Sequence, residues 1–205
     1  MLRPRSGARL LLACLALGLV AAAEGKGRVD DFESHAGELL VAAESMPDPR
    51  FRESVILMVR HNAEGAMGLI VNKTLVVAPL ALLLNDPEAK GKRFQRKVEI
   101  HYGGPVEPRR GFVVHRLEFA IDGTLAVKNG YGVTSNVEVV QALAEGTGPE
   151  QAVIAFGYAG WGPGQLEGEI GRGDWHWIPA DDDLVFGPAN DDKWRRALEK
   201  RGVDL

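Results

Sequence analysis

Two strand-like apolar runs separated by a short turn constrain the fold of this chain more than any other feature. Residues 54–61 (SVILMVRH) and 66–72 (AMGLIVN) are rich in β-branched and long aliphatic side chains. The four residues between them, 62–65 (NAEG), form a loop of hairpin length that contains a glycine. Such a pattern is typical of two antiparallel strands joined by a tight connection. The sequence therefore predicts a β-hairpin over residues 54–72.

The other apolar runs predict a mixture of strands and helices. Further strands are predicted at residues 98–102, 111–115, 125–127, 153–158 and 175–178. A turn is predicted at 103–108, and the apolar run 76–84 predicts a buried helix. This order of elements predicts an α+β fold, a single domain with a mixed sheet or partial barrel flanked by helices.

Two further helices are predicted from their end signals. Ser135 and Glu138 have the spacing of a capping box, and Gly146 ends the helix that follows them. The last helix is predicted from residue 190 to about residue 200, with acidic residues at its start and basic residues at its end, as the helix dipole favours.

The composition is that of a globular protein with a real core. Apolar residues make up 45% of the 205 residues and charged residues 25%, which suits one domain. A single cysteine excludes a disulfide scaffold. The net charge of −4 gives no strong basic field to attract nucleic acid.

The first 23 residues have the pattern of a cleavable signal peptide. Arg3, Arg5 and Arg9 precede the apolar run 10–20, and residues 21–23 are three alanines that suit a signal peptidase. The apolar run is short for a transmembrane helix. We therefore expect a periplasmic or secreted protein whose mature chain has no membrane span.

Alternatives to this export signal remain open. The residues around Cys14 resemble a lipoprotein cleavage box, and a wrongly assigned start site would leave the protein in the cytoplasm. With cleavage after Ala23, residues 24–36 are predicted to be an N-terminal linker and residues 37–205 the folded domain.

Several segments carry a family resemblance. Residues 37–72 begin GELLVAAESMPDPRF, and GGPV (103–106), GFVVH (111–115) and GYAGWGPGQLE (157–167) follow. Together they resemble the AlgH/YqgE family of bacterial proteins over nearly the whole predicted domain. The resemblance implies a compact α+β domain with a bifurcated sheet and suggests a regulatory role without an agreed biochemical activity. Members are usually taken to be cytoplasmic, and this chain departs from them in its N-terminal segment.

The glycine-rich segment 157–165 is the first candidate binding site. A glycine-rich turn that leads from a strand into a helix can direct backbone N–H groups towards an anion. The alternative is a structural role, in which glycines permit positive φ and a tryptophan covers the core. The candidate ligand-binding residues are Gly157, Tyr158, Gly160, Trp161, Gly162 and Gln165.

The segment 48–52 (DPRFR) is the second candidate. Its arginines, Arg52 among them, could hold a carboxylate or phosphate because a guanidinium group donates in a fork, and Asp48 begins the segment. The alternative is a solvated, charged loop.

No spacing in the sequence predicts a catalytic residue, a cofactor or a metal site. The five histidines lack metal-ligand spacing, and no serine lies in G-x-S-x-G. His61 and His115 each end a predicted strand, where a surface or loop-anchoring role is expected. The basic run 90–97 fits either a nucleic-acid patch or an exposed loop, and export would exclude DNA.

Three functions follow from these observations. The first is a non-enzymatic binding or regulatory protein whose partner is an unknown protein or a small anionic ligand. The second is a hydrolase acting on a small phosphorylated or acyl substrate, which would need His61 or His115 near Asp48 and the glycine-rich segment. The third is a cytoplasmic transcriptional regulator, if the signal segment is not genuine.

Overall fold

The computed structural model describes residues 32–84, 92–119, 121–187 and 190–201. The predicted signal peptide and most of the predicted linker lie outside these residues. The strands are β1 (Leu39–Ala42), β2 (Val55–Asn62), β3 (Gly65–Ile70), β4 (Thr74–Pro79), β5 (Lys97–Tyr102), β6 (Val106–Arg116), β7 (Leu125–Val127), β8 (Tyr131–Thr134), β9 (Ala152–Trp161) and β10 (Trp175–Ile178). The helices are α1 (Glu138–Glu145), α2 (Gln165–Gly171), α3 (Asp182–Val185) and α4 (Asn190–Lys200), and short 3₁₀ turns lie at Leu80–Leu82, Lys92–Gln95 and Lys128–Gly130.

The strands form one curled sheet of half-barrel shape, which confirms the predicted α+β single domain. Its main path runs in the order β10-β1-β2-β3-β9-β6-β8-β7, with antiparallel neighbours. The predicted hairpin is confirmed as β2 and β3, with a bulge between Met58 and Arg60. Strands β4 and β5 form a separate arm that joins the sheet where β5 runs parallel to β9. The sheet is therefore mixed and bifurcated.

The bifurcation lies at β9, which pairs with three strands. Its first half lies between β5 and β6, and its last residues pair with β3. The connection from β5 to β6 passes so close to β9 that a Cβ atom on Gly104 would collide with the Tyr158 backbone, and one on Gly157 with the Gly104 carbonyl. Gly157 also has a φ of 74°, a conformation that glycine adopts without strain. Residues 103–105 of the predicted turn therefore carry the chain across β9, whereas residues 106–108 already belong to β6.

Successive side chains of a strand point to opposite faces, so the sheet packs a core on each side. In β1, Leu39 packs with Leu57, Leu69 and Leu184 on one face, next to α3 and α4. Its neighbour Leu40 belongs to the cluster on the other face. A third cluster joins α1 to the β5–β9 branch.

The buried helix predicted for residues 76–84 is wrong. Residues Thr74–Pro79 form strand β4, and the 3₁₀ turn Leu80–Leu82 follows. The β-branched Val76 and Val77 fit a strand better than a helix, and β5 supplies the hydrogen-bond partners. Both valines are exposed and only Leu80 is fully buried, so the expected burial is also wrong for most of the run.

Of the helix ends predicted from the sequence, the start of α1 is wrong and its end is right. Ser135 does not cap α1, because Asn136 Oδ1 accepts the hydrogen bond from the Glu138 amide at 3.0 Å. The predicted C-terminal glycine is confirmed, since Gly146 adopts the left-handed conformation with φ 75°. The last helix is confirmed as α4. None of the helices in the described ranges is both long and apolar enough to cross a membrane.

Candidate functional site

The glycine-rich segment is less of a loop than the sequence predicts. Residues 157–161 belong to β9, and only residues 162–164 form the turn into α2. Tyr158 and Trp161 consequently lie on opposite faces of the sheet. Tyr158 packs edge-on against Phe112, with ring centroids 6.1 Å apart, whereas Trp161 packs against Trp175. The predicted site residues are therefore divided between two faces.

The face with Trp161 is organised by one carboxylate. Glu169, on α2, accepts hydrogen bonds from the indole N–H of Trp161 at 2.8 Å and of Trp175 at 2.9 Å. Its other carboxylate oxygen accepts a hydrogen bond from the side-chain amide of Gln165, at 3.0 Å. Trp161 is only 7% exposed and Trp175 only 2% exposed. Buried indole N–H groups need an acceptor, and Glu169 serves both of them.

Phe51 brings the second candidate segment to the same place. Its ring lies 6.3 Å from the ring of Trp161 and 5.6 Å from that of Trp175, measured between centroids. The two segments chosen from the sequence, about a hundred residues apart, thus meet in one structure. We call Phe51, Trp161, Trp175 and Glu169 the aromatic cluster. The exposed segments 48–52 and 162–165 form its rim.

Asp48 and Arg50 of segment 48–52 neutralise each other, and Arg52 donates to a backbone carbonyl. The Arg50 guanidinium donates to both carboxylate oxygens of Asp48, at 3.0 and 2.6 Å, and this contact lowers the pKa of Asp48. Lys73 Nζ donates to the Arg50 carbonyl at 3.0 Å, and burial lowers the pKa of Lys73. Arg52 Nε donates to the Met46 carbonyl at 3.3 Å. These contacts shape the segment and leave it poorly suited to gripping an anion.

The turn into α2 is held by hydrogen bonds between Gly162 and Gln165. The Gly162 amide donates to Gln165 Oε1 at 3.2 Å, and Pro163 has no N–H. The backbone amide of Gln165 in turn donates to the Gly162 carbonyl at 3.1 Å. The helix that follows has seven residues, and Glu169 places a negative charge behind the turn. This geometry does not favour the anion cradle that the sequence suggested.

On its other side, α2 contacts a histidine pair. Glu167 Oε1 lies 3.0 Å from His61 Nε2, and the His35 amide donates to His61 Nδ1 at 3.2 Å. Nδ1 is therefore the acceptor and Nε2–H donates to Glu167. The imidazole of His35 stacks on Trp177 with centroids 4.4 Å apart. His61 is buried, so of the two expected roles the surface one is wrong, and its contacts with residues 34 and 35 fit the loop-anchoring one.

His61, one of the two histidines that the hydrolase hypothesis requires, is engaged by other groups of the domain. Both ring nitrogens of His61 have partners, and the Ser34 hydroxyl donates to the His61 backbone carbonyl at 2.7 Å. Neither ring nitrogen of His61 therefore remains to activate a nucleophile in this arrangement.

The remaining candidate groups lie apart from this pair. His115 is fully buried, so of its two expected roles the surface one is wrong; its ring lies against Phe119, and its Nδ1 lies 2.8 Å from the Arg116 carbonyl. Asp48 is bound to Arg50. In the ranges that the structure covers, no three His, Cys, Asp or Glu side chains form a metal-binding group.

Several residues of the aromatic cluster could not be chosen from the sequence. Glu169 lies eight residues after Trp161 and six before Trp175, spacings that predict no contact. The aromatic pattern WHW at 175–177 was the one local signal, because alternate large side chains on a strand lie on one face. Trp175 indeed belongs to the hydrophobic core on one face of the sheet, and Trp177 packs against that same core.

Comparison with known proteins gives consistent matches. Residues 39–205 match the sequence profile of the family described as AlgH-like. A UPF0301 protein of Afipia carboxidovorans is 48% identical over 177 residues, covering 82% of this chain and 84% of that protein. A UPF0301 protein of Methylococcus capsulatus is 46% identical over 178 residues, covering 84% and 96%.

Two solved structures are also similar. The solution structure of the AlgH protein from Pseudomonas aeruginosa matches with a TM-score of 0.70 and 34% identity, over 82% of this chain and 89% of that one. The crystal structure of a Corynebacterium diphtheriae protein matches with a TM-score of 0.63 and 26% identity, over 82% and 87%.

Proposed function

The chain belongs to the AlgH-like family, and we propose that it is a non-enzymatic binding or regulatory protein that contacts a protein partner through the rim of the aromatic cluster. One observation carries this proposal. Glu169 fixes both tryptophans, and Phe51 packs on them, so two distant segments form one rigid, partly apolar feature. Rigid aromatic groups surrounded by exposed polar residues are common at protein-binding sites.

A protein partner fits this feature better than a small anion. The arginine side chains of the rim donate to acceptors within the domain, the Gly162 N–H of the turn is bonded to Gln165, and Pro163 has no N–H. The exposed backbone of residues 162–164 and the half-exposed ring of Phe51 remain available to a neighbouring polypeptide.

Site-specific photo-crosslinking would test the proposal. A photoreactive residue at Pro163, on the rim, is expected to give a discrete crosslinked protein in native cells. The same residue at Glu199, exposed on α4, is the control and should give none. The product should also disappear in Phe51→Ala. Equal crosslinking from both positions would refute the proposal. So would an undiminished crosslinked product in Trp161→Ala and Gly160→Ala variants that remain folded.

We further propose that the protein is exported, with residues 1–23 as the signal peptide. Cell fractionation and intact mass test this directly. A periplasmic species that begins at Glu24 supports export, and an acylated species that begins at Cys14 would instead identify a lipoprotein. A full-length species in the cytosol would refute export and restore the transcriptional regulator as a hypothesis.

A further inference from the structure

A cavity of about 340 Å³ lies between β5, the start of β9 and α4, and it uses none of the side chains of the aromatic cluster. A volume of this size accommodates a small metabolite. Its ionisable lining residues are Arg96, Lys97, Glu99, His101, Glu150 and Lys193.

Lys193 is the most unusual of these residues, because its side chain is only 1% exposed. Its Nζ donates to the backbone carbonyls of Val71, at 3.2 Å, and Val185, at 3.0 Å. An ammonium group has three N–H donors, so these bonds use two of them. Within the described residues, no carboxylate lies within salt-bridge distance of Nζ. A buried charge normally has a counter-ion. Here Glu99 acts on the ammonium from beyond salt-bridge distance, and Lys193 lines a cavity.

His101 is a second buried polar group beside the cavity, 5% exposed. Its Nδ1 has no hydrogen-bond partner in the part of the chain that the structure describes. Its Nε2 lies 3.8 Å from Glu99 Oε2, too far for a hydrogen bond. Burial, and then the charge of Lys193, lower the pKa of His101 to about 4. The imidazole is therefore neutral at pH 7 and retains unused hydrogen-bonding capacity.

The charge balance of the cavity favours a negative ligand. Arg96, Lys97 and Lys193 are opposed by Glu99 and Glu150, so with His101 neutral the lining carries one excess positive charge. We propose that this cavity binds a small anion, a metabolite with a carboxylate or phosphate group, which pairs with Lys193 and contacts the imidazole of His101.

The pH dependence of this binding follows from Lys193. Burial lowers the pKa of Lys193 to about 8, while Glu99 raises it and Arg196 lowers it further. The ammonium is present at pH 7 and is lost above pH 8, and His101 does not titrate in that range. The protonated fraction of Lys193 falls about tenfold between pH 7 and pH 9, and the affinity for an anion should fall with it.

Titration of the full chain with sulfate and, separately, with acetate tests the proposal. Both probes keep a constant charge between pH 7 and pH 9, and they stand for phosphate-bearing and carboxylate ligands respectively. Binding is followed by amide chemical shifts at constant ionic strength. We expect at least one probe to give saturable shifts at residues of β5 and α4. Whichever probe binds more tightly identifies the ligand class.

Two variants on α4 give the matched comparison. Lys193→Met should weaken binding at least tenfold. Arg195→Met removes an exposed cation of the same helix, paired with Asp192, and should leave binding unchanged. Equal binding by Lys193→Met and the wild type, or saturable binding of neither probe, would overturn the proposal.

The proposal remains testable should Lys193→Met fail to fold, because the wild type alone can be titrated at pH 7 and pH 9. An affinity that does not change between these pH values would also overturn it.

Discussion

Removal of the Glu169 carboxylate should destabilise the protein more than any other change to an acidic side chain of α2. Glu169→Ala leaves the indole N–H groups of Trp161 and Trp175 without their acceptor, at positions 7% and 2% exposed. A buried donor left unsatisfied costs about 1–3 kcal/mol, so the two together give a loss of roughly 2–6 kcal/mol in the free energy of unfolding. Glu169→Gln keeps one acceptor oxygen but loses the charge, and we expect a loss of about 1–2 kcal/mol.

Urea unfolding followed by tryptophan fluorescence measures these losses, because the signal comes partly from the residues concerned. Glu199→Ala removes a carboxylate from an exposed helical position and serves as the control, with an expected change within about 0.5 kcal/mol. A loss below about 1 kcal/mol for Glu169→Ala would refute the argument from unsatisfied donors. Equal losses for the alanine and glutamine variants would refute the role assigned to the retained oxygen.

Three further predictions concern stability. Gly157→Ala should cost more than about 2 kcal/mol by chemical denaturation, because its Cβ would meet the Gly104 backbone at positive φ, whereas Gly164→Ala, at similar φ but in open space, should cost about 1 kcal/mol. The lowered pKa of His101 should make the free energy of unfolding fall by about 3 kcal/mol as the pH drops from 6.5 to 4, because the unfolded chain binds a proton that the folded chain excludes. His101→Leu should lose this part of the pH dependence of the free energy of unfolding. An unchanged pH profile in that variant would contradict the prediction. Asn72→Ala should cost about 2–3 kcal/mol in urea, because it leaves the buried Val55 amide without its acceptor; a change under 0.5 kcal/mol would show that another group replaces it.

Local signals in the sequence predicted those elements whose ends and partners lie close together in the chain. The β2–β3 hairpin depends on two apolar runs and a four-residue turn, and the end of α1 depends on the conformation of Gly146 alone. The apolar run 76–84 was ambiguous because strands and buried helices can share such a composition. Its pairing with β5, some twenty residues later, decides in favour of a strand.

Local sequence signals also identified part of the candidate site. Trp161 and segment 48–52 were chosen from the sequence, and the structure brings them together through Phe51. The loop predicted for residues 157–165 is wrong over 157–161, which extend β9, and Gly157 permits the close approach of Gly104 within that strand. Neither the shared acceptor Glu169 nor the His61–Glu167 contact has a local signal, since both depend on how α2 folds back onto the sheet.

The triple pairing of β9 has a consequence for how the domain opens. Both branches of the sheet are joined through backbone hydrogen bonds with this one strand, so neither branch can separate without exposing backbone groups of β9. We therefore expect the amide protons of residues 153–156 to exchange with deuterium only through global unfolding, while those of the β4 edge exchange through local fraying. The two branches should then behave as one cooperative unit, in which a disturbance of either is felt by both.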